Sequence, residues 1–484
     1  MPWRALLWSS ACCLASSAKG DVSLPLLTWM LKRPPSASFS MVPWLLRHVD
    51  LLYAQQVEKL CCQVHAGEHL EHAERLAQLA LEPIPESGFH VNSAKARGHL
   101  LTACRHVLGG DASRVCACLS QAVLAPLRQA VETEARAGSN DQWPAVQVLS
   151  AALVVTLPDV SKNADASNCI NCEPTIAALW EANWDMLQAS LLTWTPSPVT
   201  NQPVVAAAEA LSSAAVRLRP LLRPTLALLG QSIGQSVQPH AQINAIYHIV
   251  TELTPASSEL QEVVASMTEA IIGISNTTLS RFAGLKQSPI TLEALFRLLA
   301  SSILLAPSNV QTLRINQGHL RPRLLGQDGL VKRCLEVVAD VLPDCPTPGG
   351  VEWTLVFVAR LLKGLKEGRE VNPNLKETLR QALPELFSAL TRALASQVQL
   401  TKIDYIHYAA EVLLQVAEVF PEHMETVLND GLGRLAGLGV PDYSRHRLAR
   451  HVHNRSEWAS IGAWIDGLQQ IAFDWQNERR QSIT

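Results

Sequence analysis

Apolar residues recur three and four positions apart along this sequence, and the stretches that carry them follow one another in pairs. Two consecutive stripes consist of Leu100, Leu101, Cys104 and Leu108, then Val115, Leu119, Val123, Leu127 and Val131. Between them stand the break Gly109-Gly110 and Asp111, a residue type that caps helix N-termini. Two amphipathic helices joined by so short a turn are predicted to pack against each other in antiparallel orientation.

The same pattern is repeated over most of the chain. Further stripes at helical spacing begin near Asp141, Trp180, Val204, Ile243, Leu260, Thr291, Leu375, Ile406 and Trp464. Such hairpins recur every ~40–47 residues, the period of HEAT and armadillo repeats, which corresponds to about ten repeats in this chain. We therefore predict an all-α fold, a right-handed α-α superhelix (a HEAT/armadillo-type solenoid) of antiparallel helix hairpins.

Length and composition agree with this architecture. A chain of 484 residues exceeds the ~250–300 residues at which a single core stops growing, which leaves several helical bundles or a solenoid. Leu and Ala dominate the 48% of hydrophobic residues and aromatic residues make up 5%, a composition that favours helices over strands. The solenoid is preferred, because one hairpin cannot bury so wide an apolar stripe without neighbours to stack on.

The predicted solenoid runs continuously from residue 21 to residue 484, with an exposed polar loop near residues 158–173. Residues 1–20 are interpreted as an atypical or disordered N-terminus. Their sequence, in which Arg4 precedes a short apolar run and small residues, is also similar to a secretory signal peptide. No stretch has the ~18–20 uninterrupted apolar residues of a membrane span.

Charge and cysteine usage narrow the class of partner and the compartment. The net charge of -3 is unlike the basic surplus of a nucleic-acid-binding protein. The eleven Cys are an odd number, and those in apolar stretches are predicted to be reduced, buried thiols. These are Cys61, Cys62, Cys104, Cys116, Cys118 and Cys334. We expect a protein of the cytoplasm or nucleus.

Few motifs suggest chemistry. Cys169 and Cys172 form a Cys-x-x-Cys pair, but zinc needs four ligands and no second pair lies at a suitable spacing. A thioredoxin-type site would need a βαβ setting, so two thiols in a flexible loop are the preferred interpretation. Nucleophile elbows, phosphate loops and dinucleotide fingerprints are absent from the sequence. We predict no enzyme activity, no catalytic residue, no metal and no cofactor.

The Trp residues of one stretch are interpreted as core residues. Trp180 and Trp184 share a helical face with Leu187 and Leu191. Together with Trp194 they are predicted to pack in the interior, in preference to forming an aromatic cage for a ligand.

The most basic run of the chain is the candidate partner-binding site. Its arginines are Arg445, Arg447, Arg450 and Arg455, with His446, His451 and His453 among them. The spacing of His451 and His453 puts them on different faces of a helix, which makes a poor metal pair. A solvated helix face or loop is the simpler interpretation of this run. The functional interpretation is a patch that binds an acidic protein surface.

Three stretches resemble a known family. They lie within Ile176–Leu253 (for example LWEANWDMLQASLLTW), at Ser288–Pro307 (SPITLEALFRLLASSILLAP) and at Tyr408–Leu435. In this order they resemble the C-terminal part of nuclear transport receptors of the importin-13 and transportin-3 branch of the importin-β superfamily. Weaker similarity extends back to Ser93–Val131 and Leu24–Val64.

This resemblance implies a karyopherin that carries cargo proteins through the nuclear pore. It also implies binding of the Ran GTPase and of nucleoporin Phe-Gly repeats, shuttling between cytoplasm and nucleus, and no chemistry. The N-terminal half of the family, which makes much of the Ran contact, is expected to be missing from this chain. The alternatives are a HEAT-repeat scaffold in another cytosolic assembly and, less favoured, an enzyme with a site that no motif reveals.

Overall fold

A computed structural model describes most of the chain. The described residues are 23–32, 43–63, 70–81, 94–119, 121–137, 145–157, 174–194, 202–236, 239–253, 260–281, 288–303, 324, 327–345, 347–366, 373–396, 403–437, 446, 450, 460–470 and 473. Residues 1–20 and 158–173, for which the sequence predicts an irregular N-terminus and a polar loop, lie outside these ranges. All regular structure in the described ranges is helical, which confirms the predicted all-α class.

The described helices follow one another along the chain. The first are α1 (Ser23–Lys32), α2 (Pro43–Cys61), α3 (Leu70–Leu81), α4 (Ala94–Val107), α5 (Ala112–Cys118), α6 (Gln121–Ala137), α7 (Ala145–Val154), α8 (Pro174–Trp194), α9 (Gln202–Arg217) and α10 (Leu222–Gln235). The others are α11 (His240–Glu252), α12 (Leu260–Arg281), α13 (Pro289–Ile303), α14 (Asp328–Val341), α15 (Pro348–Lys366), α16 (Pro373–Ser396), α17 (Ile403–Val419), α18 (Pro421–Gly437) and α19 (461–470). Short 3₁₀ turns at Arg219–Leu221 and Leu342–Asp344 follow α9 and α14.

The chain forms two compact units, Met1–Leu228 with Gln235–Val237, and Leu229–Gly234 with Gln238–Thr484. In the first unit the helices stack in two layers. One layer places α2, α4, α7 and α9 side by side, and the other places α1, α3, α6 and α8 side by side. Each helix of one layer also packs on its hairpin partner in the other layer. The core lies between the layers, as expected when one hairpin buries its apolar stripe on the next.

The second unit has the same two-layer arrangement. Helices α11, α13, α15 and α17 are successive neighbours in one layer, and α12, α14, α16 and α18 in the other. Phe296 of α13 and Phe357 of α15 meet edge to face, with ring centroids 5.2 Å apart. A small apolar cavity of about 20 Å³, lined by residues such as Leu355, Phe387 and Leu413, lies in the core formed by α14 to α18. Stacked helix pairs of this kind define the HEAT-type superhelix that the sequence predicts.

The observed repeat is slightly longer than the predicted one. Hairpins of the first unit begin at Ser23, Leu70, Gln121 and Pro174, a spacing of about 47 to 53 residues, against the ~40–47 typical of HEAT repeats. The longer spacing comes from the segments that connect the helices. The short helix α5 lies between α4 and α6, and residues 158–173 lie between α7 and α8.

The break at Gly109-Gly110 is as predicted, but the following stripe is not one helix. Gly109 and Gly110 have φ values of 71° and 74°, a left-handed conformation that glycine adopts without strain. Asp111 Oδ1 accepts a hydrogen bond from the Arg114 amide at 3.3 Å, which confirms the cap. The stripe is divided into α5 and α6, and Ser120, which precedes α6 in the sequence, belongs to a residue type preferred at N-caps.

Most of the predicted core is buried. Leu100, Leu101, Cys104 and Leu108 are all less than 5% exposed. Trp180 is fully buried, whereas Trp184 is half-buried, so the core assignment is confirmed for the first and holds in part for the second. The side chain of Trp194 lies outside the described part. Among the described helices, none has the length and apolar character to cross a bilayer.

The described cysteines are all free thiols. Cys61, Cys104, Cys116 and Cys334 are buried, as predicted, while Cys62 is exposed and Cys118 is partly exposed. The prediction of burial was wrong for Cys62, because this residue follows the last turn of α2 and lies outside its packed face. The pKa of Cys118 is lowered by a hydrogen bond with the Cys104 thiol, and burial raises the pKa of Cys62.

Alkylation by iodoacetamide should therefore distinguish the thiols of the folded chain. Because only the thiolate reacts, the rate of Cys118 modification should rise at lower pH than the rate of Cys62 modification. Burial raises the pKa of Cys334 to about 12, so this thiol serves as the unreactive control. Peptide mass spectrometry across a pH series measures each rate, and a Cys62 midpoint below that of Cys118 would contradict the assignment.

Candidate protein-binding surfaces

The predicted arginine patch is only partly described by the structure. Arg450 is exposed, which is compatible with a role in partner binding. Arg445, Arg447 and Arg455 lie outside the described residues. The patch therefore stays a prediction.

The Cys-x-x-Cys pair, Cys169 and Cys172, also lies outside the described ranges. Within those ranges, no three His, Cys, Asp or Glu side chains lie close enough to one another to hold a metal ion.

An open depression of the first unit lies across the layer that contains α4, α7 and α9. It has a volume of about 620 Å³, within the ~300–1,000 Å³ typical of ligand sites. Helix α4 contributes Gly98, His99 and Thr102. The rest of the lining comes from α7 and the turn that follows it (Gln147 to Val155) and from α9 (Val205 to Ser213). We refer to it as the α4–α7–α9 groove.

Small residues at helical spacing create the depression. Ser150 and Ala151 of α7 and Ala206 and Ala210 of α9 are among its lining residues, and larger side chains at these positions would reduce its volume. A Cβ atom placed on Gly98 would lie 4.0 Å from the Ala151 Cβ, so α4 and α7 pack closely at this point. The groove therefore leaves the backbones of α7 and α9 covered only by small side chains at these positions.

The polar groups of the groove are an imidazole, hydroxyls, an amide and a carboxylate. His99 Nδ1 lies 2.5 Å from Glu58 Oε2 of α2. An ionised carboxylate only accepts hydrogen bonds, so Nδ1 is the donor of this contact; Nε2 accepts in the neutral ring and donates in the imidazolium. His99 Nε2 and Ser150 Oγ are buried atoms with no hydrogen-bond partner in the described structure. Glu209, another lining residue, is exposed, yet partial desolvation raises the pKa of its carboxyl.

The second unit has a different polar surface, on the helices α11, α13, α15 and α17. Arg297 of α13 stacks on Tyr247 of α11, with its Cζ 4.8 Å from the ring centroid, and donates a hydrogen bond to Asn244 Oδ1. The Tyr408 hydroxyl of α17 donates to Glu352 Oε1 of α15 at 3.1 Å. These contacts join neighbouring helices of the layer. The stacking of the layer is therefore supported by one cation–π contact and by hydrogen bonds between polar side chains.

Further along the same layer, Arg360 of α15 is partly buried. Desolvation lowers the pKa of its guanidinium, and the nearby Glu411 carboxylate opposes that effect. At the end of this layer Lys366 Nζ pairs with Glu418 Oε2 at 2.8 Å. A half-exposed pair of this kind contributes little to stability, so it adds at most a small stabilising contact between α15 and α17.

Neither surface was identified from the sequence. The groove depends on Gly98, Ala151 and Ala206 from three helices, and no local pattern shows that these small residues meet. A sequence signal does exist in α9, where Val205, Ala206, Glu209, Ala210 and Ser213 share one face at i, i+1, i+4, i+5 and i+8. That face is too poor in large apolar residues to be a core stripe.

Comparison with known proteins identifies the fold. No protein-family model and no curated protein matches the sequence. A solved structure of importin13 in its cytosolic state does match, with a TM-score of 0.64 at 12% sequence identity. The match covers 94% of this chain and 47% of that one. This chain therefore spans about half the length of that importin.

At this identity the match establishes the class of fold. The chain has an importin-like, all-α helical-repeat architecture, in agreement with the layers of stacked hairpins in each unit. Folds of this class act through extended surfaces formed by successive repeats. A helical-repeat protein with an importin-like fold is the class that this match defines.

Proposed function

We propose that this chain is a nuclear transport receptor of the importin-13 and transportin-3 branch, which carries protein cargo through the nuclear pore and shuttles between cytoplasm and nucleus. One observation carries the proposal, the importin13 match over 94% of the chain. The order of the three stretches between Ile176 and Leu435 supports the branch. The proposed partners are cargo proteins, nucleoporin Phe-Gly repeats and the Ran GTPase, and the proposal includes no enzyme activity.

The stacked architecture is suited to coupled binding. Small changes at each hairpin contact add up along an array of repeats. One partner can thereby change the surface that is offered to another, which is the physical requirement for Ran-linked release of cargo. Arg445, Arg447, Arg450 and Arg455 remain a proposed surface for an acidic partner.

The proposal is tested by a pull-down with the full chain as bait. Immobilised Phe-Gly repeats and cell extract are each presented with and without excess Ran bound to a non-hydrolysable GTP analogue. We expect retention on Phe-Gly repeats in both conditions and a set of cargo proteins that changes with Ran. A bait that ignores Phe-Gly repeats and instead recovers one stable cytosolic complex would favour a HEAT-repeat scaffold.

A further inference from the structure

The turn between α4 and α5 brings one cysteine of each helix together. Cys104 lies in the last turn of α4, and Cys118 is the last residue of α5. The Gly110 amide donates to the Arg105 carbonyl at 3.0 Å, and the left-handed conformation of Gly110 lets the chain reverse here. The two thiols meet beside this turn and share a hydrogen bond. Sulfur atoms in such contact can form a covalent bond after a small side-chain rotation.

The two thiols differ in their access to solvent. Cys104 is 1% exposed, whereas Cys118 is partly exposed. Cys116 precedes Cys118 by two residues, a spacing that places the two on different faces of α5, and it is buried. A small solute can therefore reach the Cys118 sulfur from water, while Cys104 contacts that sulfur from the core.

The contact also divides the roles of the two sulfur atoms. The hydrogen bond with Cys104 lowers the pKa of Cys118 by more than burial and the Glu74 carboxylate raise it. The same hydrogen bond, together with burial, raises the pKa of Cys104. Cys118 is thus the thiol that ionises, and Cys104 keeps its proton and donates it to the Cys118 sulfur. Since the thiolate is the nucleophile in thiol chemistry, Cys118 is the sulfur that attacks.

We propose that Cys104 and Cys118 form a site of reversible oxidation, at which a hydroperoxide oxidises Cys118 and Cys104 then closes a disulfide bond with it. The inference concerns a modification of the chain itself and does not depend on the proposed function. An accessible thiolate beside a second thiol is the arrangement of redox-sensing cysteines. Disulfides of this kind in the cytosol are usually transient.

The reaction with hydrogen peroxide proceeds in two balanced steps. The Cys118 thiolate attacks one oxygen, the O–O bond breaks, and the hydroxide that leaves takes up a proton to become water. Cys118 is then a sulfenic acid, with an S–OH group. The Cys104 sulfur attacks the Cys118 sulfur, the S–O bond breaks, and the hydroxyl group leaves as water with the Cys104 proton. The two sulfur atoms have supplied the two electrons that reduce the peroxide, and an external dithiol can return them.

The position of α5 gives the bond a structural consequence. Helix α5 connects α4 to α6 and also contacts α3 and α8. A disulfide between Cys104 and Cys118 holds the end of α5 on α4. It therefore restricts the connection between two consecutive hairpins, α3–α4 and α6–α7.

Peptide mass spectrometry of the full chain tests the site. The reduced chain is exposed to hydrogen peroxide, its remaining thiols are blocked with N-ethylmaleimide, and it is digested with trypsin without reduction. Cleavage after Arg105 and Arg114 places Cys104 and Cys118 on separate peptides, so a disulfide appears as a linked pair. Cys116 is on the same peptide as Cys118, and fragment ions show which of the two carries the maleimide.

We expect the Cys104–Cys118 linkage to form and to disappear on treatment with dithiothreitol. Cys118 should lose its thiol about tenfold faster than the exposed Cys62, because the reaction rate follows the thiolate fraction and burial raises the pKa of Cys62. In guanidinium chloride this preference should be lost, since the contact with Cys104 no longer exists.

Two variants separate the steps. Cys104→Ser keeps a hydrogen-bond donor toward Cys118 but cannot form the disulfide. We expect the Cys118 sulfenic acid to persist in this variant and its labelling by dimedone to rise about tenfold over the parent chain. Cys62→Ala is the control and should show the linkage and the dimedone labelling of the parent. Circular dichroism establishes that the variants are folded.

The mapping of the parent chain decides the inference even if a variant fails to fold. Oxidation of Cys62 while Cys118 keeps its thiol would overturn it, as would a disulfide of Cys104 with any cysteine other than Cys118. The assay contains no cargo, Phe-Gly repeat or Ran, so its result is separate from that of the pull-down.

Discussion

Replacing Trp180 with alanine is expected to lower the free energy of unfolding by about 3–5 kcal/mol, the range for removing a fully buried aromatic side chain. Trp180 is 0% exposed, and its Nε1 donates to Thr156 Oγ1 at 3.3 Å. Thr156 in turn donates to the Leu153 carbonyl at 2.6 Å, at the end of α7. The side chain therefore both fills the core and ties α8 to the end of α7.

Helix α8 also supplies the matched control. Trp184 lies one turn along and is half-buried, so Trp184→Ala removes the same atoms from a site that water already reaches. We expect Trp184→Ala to lower the free energy of unfolding by less than half as much as Trp180→Ala. Both the free energy of burying apolar surface and the cost of the cavity left behind increase with burial. Denaturant titration followed by circular dichroism at 222 nm measures both variants. Equal losses would show that Trp180 is not a core anchor.

Replacing Arg97 with alanine is expected to lower the free energy of unfolding by a similar amount, about 2–5 kcal/mol. Arg97 of α4 is 2% exposed, and its Nη1 donates to the Ala80 carbonyl at 2.7 Å. Helix α3 ends at Leu81, so this carbonyl is one of the last four that have no partner within the helix. The guanidinium caps that helix end and places a positive charge at its negative pole.

Two further substitutions separate the contributions of Arg97. Arg97→Met keeps most of the volume but leaves the Ala80 carbonyl unpaired, so we expect a loss of about 1–3 kcal/mol. Arg114→Met removes an arginine whose ion pair with Asp111 is half-exposed, and should change stability by less than about 1 kcal/mol. The same denaturant titration measures these variants. If Arg97→Met is as stable as the parent chain, the carbonyl contact contributes nothing to folding.

The repeating helix pairs could be predicted because their signal is local. The stripe of Leu100, Leu101 and Cys104 is visible within a few turns, and Pro421 separates α17 from α18 as expected. Pro384, in contrast, lies inside α16 and does not end the helix. Tertiary packing can therefore maintain a helix through a residue that lacks an amide donor. Burial of Leu383, Leu386 and Leu390 outweighs the missing backbone hydrogen bond of the proline, since all three leucines are buried.

The candidate surfaces could not be predicted because they depend on which helices become neighbours. Gly98 and Ala206 are more than a hundred positions apart, and only the stacking of α4, α7 and α9 places them in one groove. The role of Arg97 was equally hidden, since a basic residue near a helix start gives no sign of burial. The sequence instead favoured the run from Arg445 to Arg455, because clustered charge is visible without a structure.

The layered contacts also bear on how the chain acquires its structure. In each unit the main contacts between described helices join elements that lie one or two hairpins apart in the sequence. Low contact order of this kind favours fast folding, because little loop-closure entropy is lost before native contacts form. A hairpin such as α3–α4 can therefore dock as soon as both of its helices have left the ribosome. Synthesis from the N-terminus would then extend the array in chain order, each new pair using the previous one as its template.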